Sequence, residues 1–249
     1  MSDKEISVVR YGPRGEDERR SRLIDRLRNC PIPDRELLLN MGLFLTPQGL
    51  SRILYMDGLY RRILEVQGVV MEFGCRWGQN LNLFCALRGI YEPFNRLRKV
   101  VGFDTFEGFV RVDDKDGRQM TEGAYAVTEG YEKYLDDILR NQEHESPLSH
   151  IRKYEIIKGD VSDTVPQYVK DNPHTIVALA YFDLDLYQPT KDCLEAVLSR
   201  MPKGAVLALD EANDEACPGE TLALHEVLGI RNLEIKRSPI NSRTSYVVM

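Results

Sequence analysis

The stretch Gly68–Gly78, GVVMEFGCRWG, decides the fold. Four non-polar positions run into an acidic residue, an aromatic one and a glycine, and a second glycine follows four residues later. A short apolar run closed by glycine reads as a buried strand, and the glycines allow a tight turn into a helix beyond the strand's carboxyl end. The helix continues to about Arg88, and Lys99–Phe103 (KVVGF) reads as the next strand. The alternation then repeats. Tyr154–Lys158 is a strand followed by a helix near Val165–Lys170, and Thr175–Phe182 (TIVALAYF) is a strand followed by a helix from Pro189 to Arg200. Ala205–Leu209 is a strand followed by a helix near Thr221–Leu228. Leu233–Lys236 and Thr244–Val248 close the series as two strands with no helix between them, joined through a turn containing Ser238-Pro239. Short apolar strands alternating with helices predict an α/β fold, doubly wound, with a mostly parallel seven-stranded sheet covered on both faces. The last two strands pair antiparallel.

Before this unit, apolar residues recur at helical spacing over Glu16–Asn29 and again from Asp34 to about Tyr60, with Pro31 and Pro33 between them. The division expected is residues 1–60, an arm and helices covering one end of the sheet, and residues 61–249, the α/β unit. Met1 to about Gly15 is expected to be mobile or to order against a partner subunit. The segment Thr105–Ile151 breaks the alternation; it is charged, carries Gly108, Gly117, Gly123 and Gly130, and reads as a lid insertion (about 105–150) with one helix near Glu129–Asn141.

Composition limits the function. A net charge of −6 argues against a general nucleic-acid or anionic-membrane binder, since both need clustered cations. The arginines at 19, 20, 22, 26 and 28 are interrupted by acids and read as a solvated helix face. No apolar stretch reaches the roughly 20 residues of a membrane span, and the charged opening MSDKEISVVRYGPRGEDERR lacks a signal peptide's apolar core. Five cysteines without CxxC pairing read as reduced thiols, and the expected location is the cytoplasm. None of the four histidines falls in a motif.

The strand ends carry the chemistry. Glu72-x-Gly74-x-x-x-Gly78 is not the GxGxxG of dinucleotide enzymes, which argues against a nicotinamide dehydrogenase; its spacing suits a ligand with an amino-acid moiety. Asp104, closing the second strand, can accept both hydroxyls of a ribose, and Asp160, after Gly159 at the third, can reach an adenine amino group. Both acids could instead cap the helices that follow. The fourth strand ends in Phe182-Asp-Leu-Asp-Leu-Tyr187 and the fifth in Leu209-Asp-Glu211. Paired carboxylates directly after apolar strands are unfavourable unless a cation or hydrogen bonds use them, and hard oxygen ligands favour Mg²⁺ at roughly 2.1 Å.

In combination, Glu72-Phe-Gly-x-x-x-Gly, Phe103-Asp-Thr-Phe-Glu-Gly108, Asp183-x-Asp-x-Tyr-x-x-Thr190 and Asp210-Glu211 resemble the macrocin O-methyltransferase family, from about Val66 to Asn213. The resemblance implies a metal-dependent class I methyltransferase using S-adenosylmethionine on sugars of natural products. It implies a cofactor set of Glu72, Gly74, Arg76, Trp77, Gly78, Asp104, Thr105, Phe106, Gly159, Asp160 and Asp183. It further implies Asp183, Asp210 and Glu211 as ligands of Mg²⁺ or another divalent cation, with Asp185, alongside Asp183, as the catalytic acid pair and Asp185 the general base. Members commonly carry Asp-Asp where this chain has Asp210-Glu211; both offer carboxylate oxygens. The expected substrate is a small sugar, nucleotide-linked or attached to a finished product, and the expected assembly a homodimer or larger homo-oligomer. Gln188 is a candidate substrate contact, and Arg111, Lys115 and Arg118 read either as solvated loop charge, the favoured reading, or as contacts to the phosphates of a nucleotide sugar. A catechol-type methyltransferase would need apolar clamps instead, and a silent scaffold would have no need of all four acids.

Overall fold

The computed structural model describes residues 15–249; the expectation for Met1 to Gly15 falls almost wholly outside the described residues. Seven strands form one sheet: β1 (Val69–Phe73), β2 (Val100–Asp104), β3 (Tyr154–Lys158), β4 (Val177–Phe182), β5 (Val206–Leu209), β6 (Lys236–Arg237) and β7 (Ser245–Val248). Their order is β3-β2-β1-β4-β5-β7-β6. The first five are parallel, and β7 runs antiparallel to both β5 and β6, as the missing crossover helix requires. Order reverses between β1 and β4, which opens a crevice at their carboxyl ends.

Alternation along β1 sends Val69, Met71 and Phe73 to one face and Val70 to the other. On the Val70 face lie α3 (Pro47–Arg62), α4 (Gln79–Tyr91) and α5 (Tyr131–His144), packed around Met56, Leu59, Phe84 and Leu139. On the Phe73 face lie α6 (Val161–Asp171), α7 (Tyr187–Val197) and α8 (Gly219–Val227). The doubly wound architecture expected from the alternation is present.

Two elements depart from the sequence reading. The single helical stretch expected from Asp34 to Tyr60 is divided into α2 (Asp34–Leu37), a 3₁₀ turn (Leu38–Phe44) and α3. Pro47 explains the division: a residue before proline is driven into extended backbone, and Thr46 has ψ 160°. Its hydroxyl then accepts from the Gly49 N–H at 3.1 Å, and Pro47 opens the helix where its missing donor is harmless. The strand expected at Leu233–Lys236 is found as the two residues Lys236–Arg237, which pair with Tyr246 and Ser245 of β7. The N-terminal segment also includes α1 (Glu16–Arg28), which buries no residue. By contrast α3 contributes Tyr55, Met56, Leu59 and Tyr60 to the core beneath the sheet. Among the described residues no helix is long and apolar enough to cross a membrane.

Candidate active site

A cavity of about 940 Å³ opens at the carboxyl ends of β1, β2, β3, β4 and β5, of a size for a nucleoside-sized ligand and its acceptor. The loops that line it hold non-glycine residues in left-handed backbone. Arg76 after β1 (φ 47°), Phe106 after β2 (φ 59°), Asp185 after β4 (φ 60°) and Asn213 after β5 (φ 61°) are four of the six such residues described. Strain of this kind persists where surrounding structure imposes it, commonly at functional sites.

The turn after β1 is as tight as its glycines suggest. A Cβ on Gly74 (φ 88°) would stand 1.9 Å from the Asp183 carbonyl, so β1 and β4 can close on one another only with glycine there. Glu72 does not reach the cavity. It is fully buried beneath this turn, and neither carboxylate oxygen has a hydrogen-bond partner. Burial, partly offset by nearby Asn80, pushes its pKa up to about 8. Asp104 accepts the Phe106 N–H at 2.5 Å and the Arg76 N–H at 2.7 Å, stapling the first two loops while lining the cavity. Asp160 both caps α6, accepting the Ser162 N–H at 3.0 Å, and lines the cavity, with Arg111 3.5 Å away.

Gly74, Arg76, Thr105 and Asp183 also line the cavity. Trp77, Gly78, Phe106 and Gly159 do not. Trp77 stacks edge-on against Tyr131, Gly78 starts α4 against Leu135, and Phe106 is buried in the core. Gln188 lines the cavity, its amide donating to Asp192 at 2.7 Å. Of the three lid cations, only Arg111 faces it; Lys115 lies over the Tyr187 ring at 3.7 Å, and Arg118 is exposed.

The acids after β4 and β5 form the polar end of the cavity. Carboxylate oxygens of Asp183, Asp185 and Glu211 lie within 4.8 Å of one another. Burial raises the pKa of each, and repulsion from neighbouring acids adds to the rise. Asp210 is placed differently. Arg52 of α3 holds it bidentately, at 2.6 and 3.2 Å, and the Tyr181 phenol also donates to it. Arg243 reaches Glu211 at 2.8 Å from the other side. Beneath, fully buried Glu220 accepts the backbone N–H groups of Leu184 (2.9 Å) and Glu211 (3.2 Å), and burial pushes its pKa up to about 8. Arg52, Tyr181, Glu220 and Arg243 carried no motif. They come from α3, β4, α8 and the loop before β7, and only the fold brings them together.

The residues fit the groups they would hold. Glu211 Oε2 is buried without any donor, and three acids converge on one point, which suits a divalent cation. The acids ending β2 and β3 lie along the same cavity, as ribose and adenine recognition would need.

The chain is similar, over 99% of its length and 99% of the other's, to the calicheamicin methyltransferase CalS11, with 42% identity and a TM-score of 0.93. It matches the apo structure of CalS11, described as a TDP-rhamnose 3'-O-methyltransferase of calicheamicin biosynthesis, at 40% identity over 96% of each chain, with a TM-score of 0.85. The O-methyltransferase NovP shares the fold at 20% identity over 80% of each chain, with a TM-score of 0.62. No family model matches the chain, and a search of curated proteins found no match. Fold and likeness together define an S-adenosylmethionine-dependent O-methyltransferase. The chain belongs to the family of natural-product sugar O-methyltransferases.

Proposed function

We propose that the chain methylates a hydroxyl of a deoxysugar, nucleotide-linked or attached to a natural product, with a divalent cation at the acidic end of the cavity. The observation that carries this reading is the convergence of Asp183, Asp185 and Glu211 at the end of a cavity lined by Asp104 and Asp160. Likeness to a TDP-rhamnose methyltransferase supports the sugar class. So does the polar wall contributed by Arg20, Gln48, Arg52 and Arg111, where a catechol would need apolar clamps.

When bound, the cofactor supplies an electrophilic methyl group, and a divalent cation makes a sugar hydroxyl more acidic. Asp185 takes the hydroxyl proton; its burial makes it a better base than an exposed aspartate. Glu220 fixes the backbone that carries Asp185, so the base keeps its place as charge changes around it. Asp104 and Asp160 orient the nucleoside, and the segment about 105–150 is a lid whose Asp116 anchors it by accepting the Tyr187 N–H at 2.6 Å. Alignment of oxygen and methyl supplies much of the acceleration. The same reading places the protein in the cytoplasm as a homo-oligomer. Five free cysteines support the first, and the second rests on the exposure of Leu38, Leu39 and Leu43, which a second copy would cover.

The test is release of S-adenosylhomocysteine with TDP-rhamnose, other nucleotide deoxysugars, glycosides and catechols, in Mg²⁺ or in EDTA. Turnover on a sugar that EDTA abolishes is expected. Turnover indifferent to chelation removes the cation, and turnover on catechols alone removes the sugar.

A further inference from the structure

We infer that Arg52 is a resident counter-cation that competes with the divalent ion for Asp210, an inference that rests on the cation reading above. Five carboxylates meet at this end of the cavity: Asp183, Asp185, Asp210, Glu211 and Glu220. Among them, Asp210 is the acid the converging group leaves out. It shares a strand end with Glu211, yet both of its oxygens face the Arg52 guanidinium, at 2.6 and 3.2 Å. The same guanidinium lies 3.8 Å from Asp183 and 2.9 Å from the Tyr181 phenol oxygen, so it occupies the gap between the β4 and β5 acids.

A guanidinium paired in this bidentate way offers Asp210 fixed charge and geometry. A divalent ion gathered by Asp183, Asp185 and Glu211 would approach that guanidinium with like charge, at separations where repulsion is weakly screened. Each cation therefore weakens the hold of the other, and the effect is reciprocal. Asp210 is not orphaned when Arg52 lets go, because Tyr181, buried beside it, still donates a hydrogen bond. The acid can then turn to the ion as a further ligand. Arg52 belongs to α3, near Gln48, which also lines the cavity and accepts from Arg20 at 2.6 Å. Arg52 acts here as a positioning residue.

The experiment titrates Mn²⁺, without cofactor or acceptor, into the full chain and its Arg52→Gln and Arg52→Lys variants, reading free Mn²⁺ by electron paramagnetic resonance. Arg52→Gln should bind about tenfold more tightly than the parent, equivalent to about 1.4 kcal/mol of removed competition. Arg52→Lys, which keeps the charge without the fork, should fall between them. In EDTA the Gln variant should melt below the parent, and Mn²⁺ should narrow that gap. Equal or weaker Mn²⁺ binding by both variants overturns the inference while leaving the cation reading intact. Absence of Mn²⁺ binding by parent and variants alike overturns both. If Arg52→Gln does not fold, the Lys variant alone decides by its affinity.

Discussion

Asp185 sits in left-handed backbone, buried, with its neighbours' N–H groups held by Glu220. Asparagine tolerates that backbone and matches its shape but cannot take a proton. Asp185→Asn should lower kcat by about 10²–10⁴-fold with little change in KM for the methyl donor; a loss below tenfold removes Asp185 as the base. Glu72 makes a different prediction. Its folded value of about 8 lies above the ordinary 4.5, so the folded state holds its proton more tightly than the unfolded state. Below about pH 4.5 both states are protonated and the group is neutral to stability. As pH rises from 4.5 to 8 it destabilises the fold progressively, and above 8 the penalty stays constant. Relative to the parent, Glu72→Gln should melt increasingly higher across that window; a melting difference flat with pH sinks the assignment. The acids at the strand ends were legible because each follows an apolar run and has no other evident use. Arg52 was not, since a lone arginine on an amphipathic helix looks solvated until the fold turns it inward. Trp77 reads two ways from its place within the turn, as a cofactor contact or as a packing residue, and here its ring meets Tyr131 edge-on.

At the scale of elements, α5 of the insertion is tied to α4 and to the start of β3 by one buried cluster. Both Glu143 oxygens accept from Nη2 of Arg88 at 2.8 Å, Nη1 of Arg88 donates to the Lys153 carbonyl at 2.7 Å, and the Lys153 ammonium reaches Glu143 at 2.5 Å. All three are almost completely enclosed. Glu143→Gln leaves two buried cations without their partner charge, and such breakage typically destabilises by about 3–5 kcal/mol. Urea denaturation should show that loss; a change under about 1 kcal/mol would mean the helix relaxes to wet the cluster. The strands β1 to β5 and the helices after them were readable from apolar runs and glycine because both signals are local. The division of the 34–60 stretch hung on Pro47 acting backwards on Thr46, which apolar spacing does not register. The short β6 depended on pairing with β7, and no local signal measures that.

Across the whole molecule, stability is graded from the centre of the sheet outward. Strands β1 and β4 are buried on both faces, whereas α1 buries nothing. Amide hydrogen exchange should therefore be slowest in β1 and β4 and fastest in α1, and S-adenosylhomocysteine should add protection to the loops after β1, β2 and β3. Uniform protection would contradict the grading. The exposed leucines of the 3₁₀ turn make a second test: Leu39→Glu should reduce the mass measured by light scattering, and an unchanged mass would exclude that face from assembly. The order in which a ribosome delivers the acidic centre follows from where its two arginines lie. Arg52 emerges before any of the acids it serves, and Arg243 after all of them. Between the translation of Glu211 and that of Arg243 the β4 and β5 acids thus have one guanidinium where the folded chain has two, so the centre reaches its full balance of charge only after the rest of the cavity has been translated.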